Sequence, residues 1–281
     1  MNYALAMFRL GNQMGSIFTP AKTIEKAGRM FLTPKRQEIK DWEQQAEQQG
    51  QRFKLNEDIS AIRWLPAKEN GQATPRKQIL LVHGWESRAT QMYGIAKKLL
   101  SQGFEVVAID MPAHGHSSGV TSNPRLFTQT IHLAQQQLGS FEVIIGHSMG
   151  AGATAFAVGQ GVTPQKMVLI SGPSSIENAL RRFAGFIGLN KKGVNRFVQF
   201  ISNFVGGTLE ELDSALQLKQ SNIPALLIHD EQDFEVPASE SKRLAQSLKN
   251  SELYLSHGLG HRKILKSEAV LQKIMDFIKQ D

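Results

Sequence analysis

The stretch that most constrains the fold is Val143-Ile144-Ile145-Gly146-His147-Ser148-Met149-Gly150-Ala151-Gly152. A short apolar run stops at Gly146, a serine follows two residues later, and Gly150 closes the pattern. The residues behind it, Ala151 to Ala157, are mostly small and suit a helix packed tightly on a sheet. The pattern predicts a strand, a sharp turn and a helix, with Ser148 at the apex. Such a turn crowds its neighbours, which is why glycine flanks the apex. The apical hydroxyl stands clear of the sheet beside a helix N-terminus, where backbone N–H groups stabilise developing negative charge.

Around this turn the chain alternates apolar strands with helices. Strands are expected over 79–82, 105–109, 142–145, 166–170, 225–228 and 252–255, and helices over 89–101, 124–138, 238–248 and 263–278. Continuous apolar strands interleaved with helices imply an α/β fold, with a mostly parallel central sheet covered by helices on both faces. Two further strands are expected between Gln51 and Trp64, joined near Asn56-Glu57-Asp58, and a loop over 67–76 with Asn70-Gly71 and Pro75.

One interval breaks the rhythm. Residues 172–221 carry no strand signal, but Phe183, Phe186, Ile187, Phe197, Phe200, Ile201 and Phe204 recur at helical spacing, with a break at Gly206-Gly207. So long an insert is expected to be a small helical cap. Its aromatic stripe is expected to pack the cap on the domain, with some rings free to line a substrate pocket. The core is then 51–171 with 222–281. Residues 1–50 read as an N-terminal helical extension on its outside, broken at Pro20 and Pro34, with a charged helix over 35–49 that ends at Gly50. A membrane-anchoring role for this extension is disfavoured by a short apolar face and mixed charges.

Composition narrows the function. The 281 residues are 41% hydrophobic, enough for a substantial core, and cysteine is absent, which removes disulfides, thiolate metal sites and cysteine nucleophiles. No apolar run is long enough to span a bilayer, and Met1 to Phe18 lacks the basic start and unbroken apolar stretch of a signal peptide, so a cytoplasmic protein is expected. The formal charge is +7, and part of the excess sits together at Arg181, Arg182, Lys191, Lys192 and Arg196. No nucleic-acid module accompanies it, so a solvated basic face is expected, with no nucleic-acid partner.

A serine hydroxyl needs a base within hydrogen-bond reach, and the base needs a group that fixes its tautomer. In open α/β sheets such groups gather at the C-terminal ends of strands. The downstream histidines are His229, His257 and His261. His229 ends a strand, while His261 follows two glycines of the loop after the last strand and directly precedes a helix, so His261 is the expected base. The carboxylates after 225–228 are Asp230, Glu231, Asp233 and Glu235, and Asp233 is the expected partner, with Asp230 as the competing turn residue. His114 and His116 with Asp110 form an H-x-H grouping, but no further ligand cluster accompanies it, and neither a metal nor a cofactor is expected.

In the chain order Ser148, Asp233, His261, the sequence resembles the α/β-hydrolase superfamily, in its serine-nucleophile, esterase- and lipase-like branch with a helical cap. His83-Gly84-Trp85 resembles the oxyanion loop, and Asp110 to Ser117 the loop after the next strand. Asp233 to Pro237 matches the acid loop, and Gly258 to His261 the histidine loop. The resemblance runs from about Gln51 to the C-terminus. It departs at Ala113, where the family more often carries glycine. The resemblance implies an oxyanion hole from the backbone N–H groups of Trp85 and Met149. It also implies hydrolysis of a carboxylic ester or related small acyl substrate through an acyl-enzyme, without a cofactor. Thioesterase, acyltransferase and C–C hydrolase chemistries share that triad, and a non-catalytic binding protein is the reading from outside enzymes.

Overall fold

The computed structural model describes residues 3–67, 77–206, 211 and 213–280. Three helices lead the chain: α1 (Tyr3–Phe18), α2 (Pro20–Leu32) and α3 (Asp41–Gln48). Pro20 opens α2 in the first-turn position, where its missing N–H is not needed. The sheet follows as β1 (Gln51–Lys54), β2 (Ser60–Trp64), β3 (Gln78–Val82), β4 (Glu105–Ile109), β5 (Val143–His147), β6 (Lys166–Ile170), β7 (Ala225–Asp230) and β8 (Ser251–Ser256). Between them run α4 (Tyr93–Leu100), α5 (Pro124–Leu138), α6 (Met149–Gly159), α7 (Ile176–Phe186), α8 (Lys191–Val205), α9 (Ser214–Gln217) and α10 (Ser239–Ser247), and α11 (Gly260–Lys263) and α12 (Glu268–Lys279) close the chain.

The strands form one eight-stranded sheet in the order β1-β2-β4-β3-β5-β6-β7-β8. Every neighbouring pair from β4 through β8 is parallel, and β2 runs against both β1 and β4. Alternate strand residues feed two cores. Leu80, Val82, Val107 and Ile109 pack with Phe127, Phe197 and the N-terminal helix residue Phe31 on one face. Ile79, Leu81, Val106 and Ala108 pack with Leu99, Ile274 and Phe277 on the other. Burial on both faces is the reason these strands read as unbroken apolar runs. The order reverses around β3 and β5, which places the carboxyl ends of the central strands, and the turn after β5, at the switch point where α/β folds bind ligands.

Two elements differ from expectation. The charged helix over 35–49 is confined to α3. Ahead of it, the chain past Pro34 takes its hydrogen bonds from loops: the Lys35 N–H donates to Glu86 at 3.2 Å, and Arg36 donates to the Ser117 carbonyl at 2.7 Å and to that of Gly115. The helix over 263–278 is split into α11, a tight turn over Ile264–Lys266, and α12, because Ser267 is extended at φ −72°, ψ 122°. Of the loop over 67–76 and the break at Gly206-Gly207, only Ala67 and Gly206 fall within the described residues.

Helices α7 and α8 stand between β6 and β7, and α2 packs with them. Ile24, Ala27, Phe31 and Leu32 of α2 are buried in the same core as Leu180, Phe197 and Ile201. Phe186 and Phe204, in contrast, are exposed. Outside this layer lies α1, held by an Asn12 side-chain bond to the Ile187 carbonyl at 2.8 Å and by Ser16 seated against Gly193.

Candidate active site

Ser148 sits between β5 and α6 with φ 54° and ψ −122°, a left-handed conformation that a non-glycine residue adopts only when its surroundings enforce it. Those surroundings leave no alternative. A Cβ on Gly146 would come 2.6 Å from the Cα of Ala151, and one on Gly150 would collide with the carbonyl oxygens of Val82 and His83. Helix α6 therefore lies directly on the sheet, buried from Met149 through Val158. Ser148 itself remains partly exposed.

The structure brings Ser148, Asp233 and His261 together. His261 Nε2 lies 2.9 Å from Ser148 Oγ, and His261 Nδ1 lies 2.7 Å from Asp233 Oδ2. With Nδ1–H donating to the carboxylate, Nε2 is left to accept the serine proton. Asp233 is held as an anion: burial opposes ionisation, but hydrogen bonds from His229, His261 and the Val236 N–H outweigh it and pull the carboxyl far below its usual range. The N–H groups of Glu235 and Val236 both donate to Asp233 Oδ1 at 2.9 Å.

The competing residues have other partners. Asp230 ties the histidine loop, accepting from Ser256 Oγ at 2.8 Å and from the Leu259 N–H at 3.0 Å. His257 faces the Gln232 side chain at 2.9 Å. His229 is buried between Ser241 Oγ at 2.6 Å and the Val236 carbonyl at 2.9 Å, with Asp233 at 3.4 Å. Glu231 lies 3.8 Å from His257, and Glu235 pairs with Arg262 at 3.1 Å.

The loop after β3 closes on the serine from the other side. A Cβ on Gly84 would come 2.9 Å from that of Ser148. His83 is buried beneath this loop: its Nε2 accepts the Met111 N–H at 3.0 Å, so its Nδ1–H donates to the Gly84 carbonyl at 2.7 Å. Burial pushes the His83 pKa down to about 4, which keeps the ring neutral and able to make both bonds. Among the described residues no backbone acceptor takes the N–H of Trp85 or Met149. The Trp85 ring stacks on Phe31 of α2 at 5.9 Å and meets His114 at 5.1 Å.

The Asp110 loop serves structure. Its carboxylate accepts from the Ala89 N–H and from Arg52, both at 2.7 Å. His114 Nδ1–H donates to the Pro112 carbonyl at 2.9 Å and the ring packs on Phe127, while His116 lies 3.5 Å from Glu47. Ala113 has φ 64°, a left-handed conformation that favours glycine.

Sequence reasoning did not assign His147. Its Nε2 lies 2.8 Å from the backbone carbonyl of His261, and burial with the neighbouring His261 imidazole pushes its pKa down to about 3. It also did not see that Arg88, three residues past Trp85, pairs with the buried Glu43 of α3 at 3.5 Å and bonds the Gln37 carbonyl. Glu43 stands among polar and charged residues of α3, so nothing in the sequence marks it as the buried partner.

The sequence pattern of the alpha/beta hydrolase family matches residues 79–259, the stretch that carries Gly84 and Trp85, the Ser148 turn and Asp233. The chain belongs to the alpha/beta hydrolase family. Among its relatives is an uncharacterized hydrolase, YugF, of Bacillus subtilis, 26% identical over 75% of this chain and 93% of that protein. Another is a bifunctional esterase/perhydrolase of Acinetobacter calcoaceticus, 24% identical over 72% of this chain and 91% of its own length. An esterase of Pyrococcus furiosus has the same fold, with a TM-score of 0.63 at 18% identity over 89% of this chain and 97% of the other. As an alpha/beta hydrolase the protein is an enzyme acting on small molecules. No described helix is long and apolar enough to cross a membrane.

Proposed function

We propose that the protein is a serine hydrolase that cleaves a carboxylic ester, or a related acyl substrate, through an acyl-enzyme. The observation that carries this reading is the continuous chain from Ser148 Oγ through both nitrogens of His261 to Asp233, at 2.9 and 2.7 Å. In the proposed reaction His261 Nε2 takes the hydroxyl proton as Ser148 Oγ bonds to the acyl carbon. The imidazolium then returns that proton to the leaving alkoxide. Water, deprotonated by the same nitrogen, releases the acid and restores the serine. The N–H groups of Trp85 and Met149 receive the oxyanion, a role supported by their free donors and by the close seating of Gly84 on Ser148.

In this reading residues 172–221 form a cap over the core of 51–171 and 222–281, and residues 1–50 are an N-terminal extension. The aromatic layer of Phe31, Phe183 and Phe197, with ring centres 5.1 and 5.9 Å from Phe31, then forms an apolar wall beside Trp85. Such a wall favours an acyl group or aromatic acid over a charged one.

Hydrolysis of p-nitrophenyl esters of graded chain length, measured beside acyl-CoA thioesters, tests the reading. Ester turnover abolished by Ser148→Ala supports it. Turnover of thioesters alone moves the activity to a thioesterase, and no acyl turnover at all overturns it.

A further inference from the structure

Helix α1 presents an apolar face to solvent. Tyr3, Met7, Leu10, Met14 and Ile17 recur at three- and four-residue spacing, so at 100° per residue they form one stripe along the helix. Tyr3 is 81% exposed, Met7 68%, Ile17 62%, and Phe18 at the end of the stripe 74%. The opposite side of the helix, with Phe8, Asn12, Gly15 and Ser16, is the side that packs on α2 and α8. The stripe therefore points directly away from the protein. Arg9 is the sole charged residue of α1.

The neighbouring helices carry a second, independent signal. Helices α1, α2, α7 and α8 contain nine basic residues (Arg9, Lys22, Lys26, Arg29, Arg181, Arg182, Lys191, Lys192 and Arg196) against two acidic ones, Glu25 and Glu177. Their net +7 equals the formal charge of the whole 281-residue chain, so the remainder is neutral overall. Arg29, Arg181 and Arg182 are in ion pairs with Glu25, Glu177 and Glu240. Among the described residues Lys22, Lys26, Lys191, Lys192 and Arg196 are in none, and all of them are exposed.

An exposed apolar helix face, packed on helices that carry exposed unpaired cations, suits the boundary of an anionic bilayer. The apolar side chains sink below the headgroups while the lysines meet the phosphates. We propose that α1, with the basic faces of α2 and α8, is a docking surface for anionic phospholipid membranes, and that the enzyme works as a peripheral protein. A second copy of the chain is disfavoured as occupant, because joining two such faces would oppose two like charges of this size. The helix is embedded and does not span. The inference rests on the surface alone and holds whether or not Ser148 is the nucleophile.

The experiment is flotation of the full chain with vesicles of phosphatidylcholine alone and of phosphatidylcholine mixed with about 30% phosphatidylglycerol. The protein is expected to float with the anionic vesicles only, and to be released by high salt. Lys26→Gln, Lys191→Gln and Lys192→Gln are each expected to lower partitioning about fivefold. Leu10→Gln and Met14→Gln are expected to lower it about tenfold each. These positions are exposed, so unchanged thermal unfolding of the variants separates lost docking from lost fold. Equal behaviour on both vesicles, or flotation unaffected by either set of variants, overturns the proposal. So does a concentration-dependent dimer in light scattering that Met14→Gln dissociates, which would assign the stripe to self-association.

Discussion

The imidazole of His147 lies 2.8 Å from the backbone carbonyl of His261, with the two ring centres 4.9 Å apart. The residue that precedes Ser148 thus fixes the main chain of His261, the proposed base, across 114 positions of sequence. Because burial keeps His147 neutral, its Nε2–H donates this bond throughout the neutral pH range.

Replacing His147 by alanine is accordingly expected to free the histidine loop without touching a reacting atom. His147→Ala should lower kcat about tenfold and leave KM nearly unchanged, since a misplaced base acts on the transition state and not on ground-state binding. Steady-state kinetics on a p-nitrophenyl ester check this, and a change confined to KM counts against it.

The two loop carboxylates should separate cleanly. Asp233→Asn removes the carboxylate that sets the His261 tautomer and is expected to cost about ten-thousand-fold in kcat, a loss far larger than its effect on the unfolding midpoint accounts for. Asp230→Asn weakens the bonds to Ser256 and Leu259 and should appear mainly as a lower unfolding midpoint, with a smaller loss of activity. Reversal of that pattern would exchange the roles assigned to the two residues.

The turn itself is expected to resist even a methyl group. Gly150→Ala places a Cβ against the carbonyls of Val82 and His83, which belong to the sheet and to the loop after β3. Urea unfolding should show a loss of about 3 kcal/mol. Activity should fall as well, because relief of the clash moves the loop that carries Trp85.

Stability should decline on acidification from a well-defined point. His83, His114 and His147 have folded-state values pushed down to about 4, 3 and 3, first of all by burial, while the unfolded chain titrates near 6.5. Below 6.5 the unfolded state therefore binds more protons than the folded one, so their contribution is complete above 6.5 and is lost as pH falls towards about 4 for His83 and about 3 for His114 and His147. Each ring adds a slope of up to about 1.4 kcal/mol per pH unit in that window. The depressed Asp233 carboxyl acts in the same direction at lower pH still. Urea midpoints equal at pH 7 and pH 5 would contradict this.

What was legible in the sequence was local. The strands, the serine turn and the loops that carry Asp233 and His261 are written in runs of a few residues, because a doubly covered sheet needs unbroken apolar strands and a strained turn needs glycine. The choice of His261 over His257 followed from the glycines that release it and the helix that receives it. What was not legible depends on contacts between distant segments. The strap over 34–40 carries the charged composition of a helix, and only the loops it binds, through Arg36 to Ser117 and Lys35 to Glu86, hold it extended. Helix α2 looks like a surface helix in sequence, yet Phe31 is buried against Trp85. The apolar face of α1 is visible in the sequence as a short stripe, but its direction is not: only the packing of α1 on α2 and α8 turns it outward.

The most direct test of the central claim is covalent labelling of the folded protein with a fluorophosphonate probe, followed by peptide mass mapping. The account predicts a single modified residue, Ser148 in wild type, no label in Ser148→Ala, and strongly slowed labelling in His261→Ala. A wild-type protein that stays unlabelled, or a label that persists in Ser148→Ala, would contradict it.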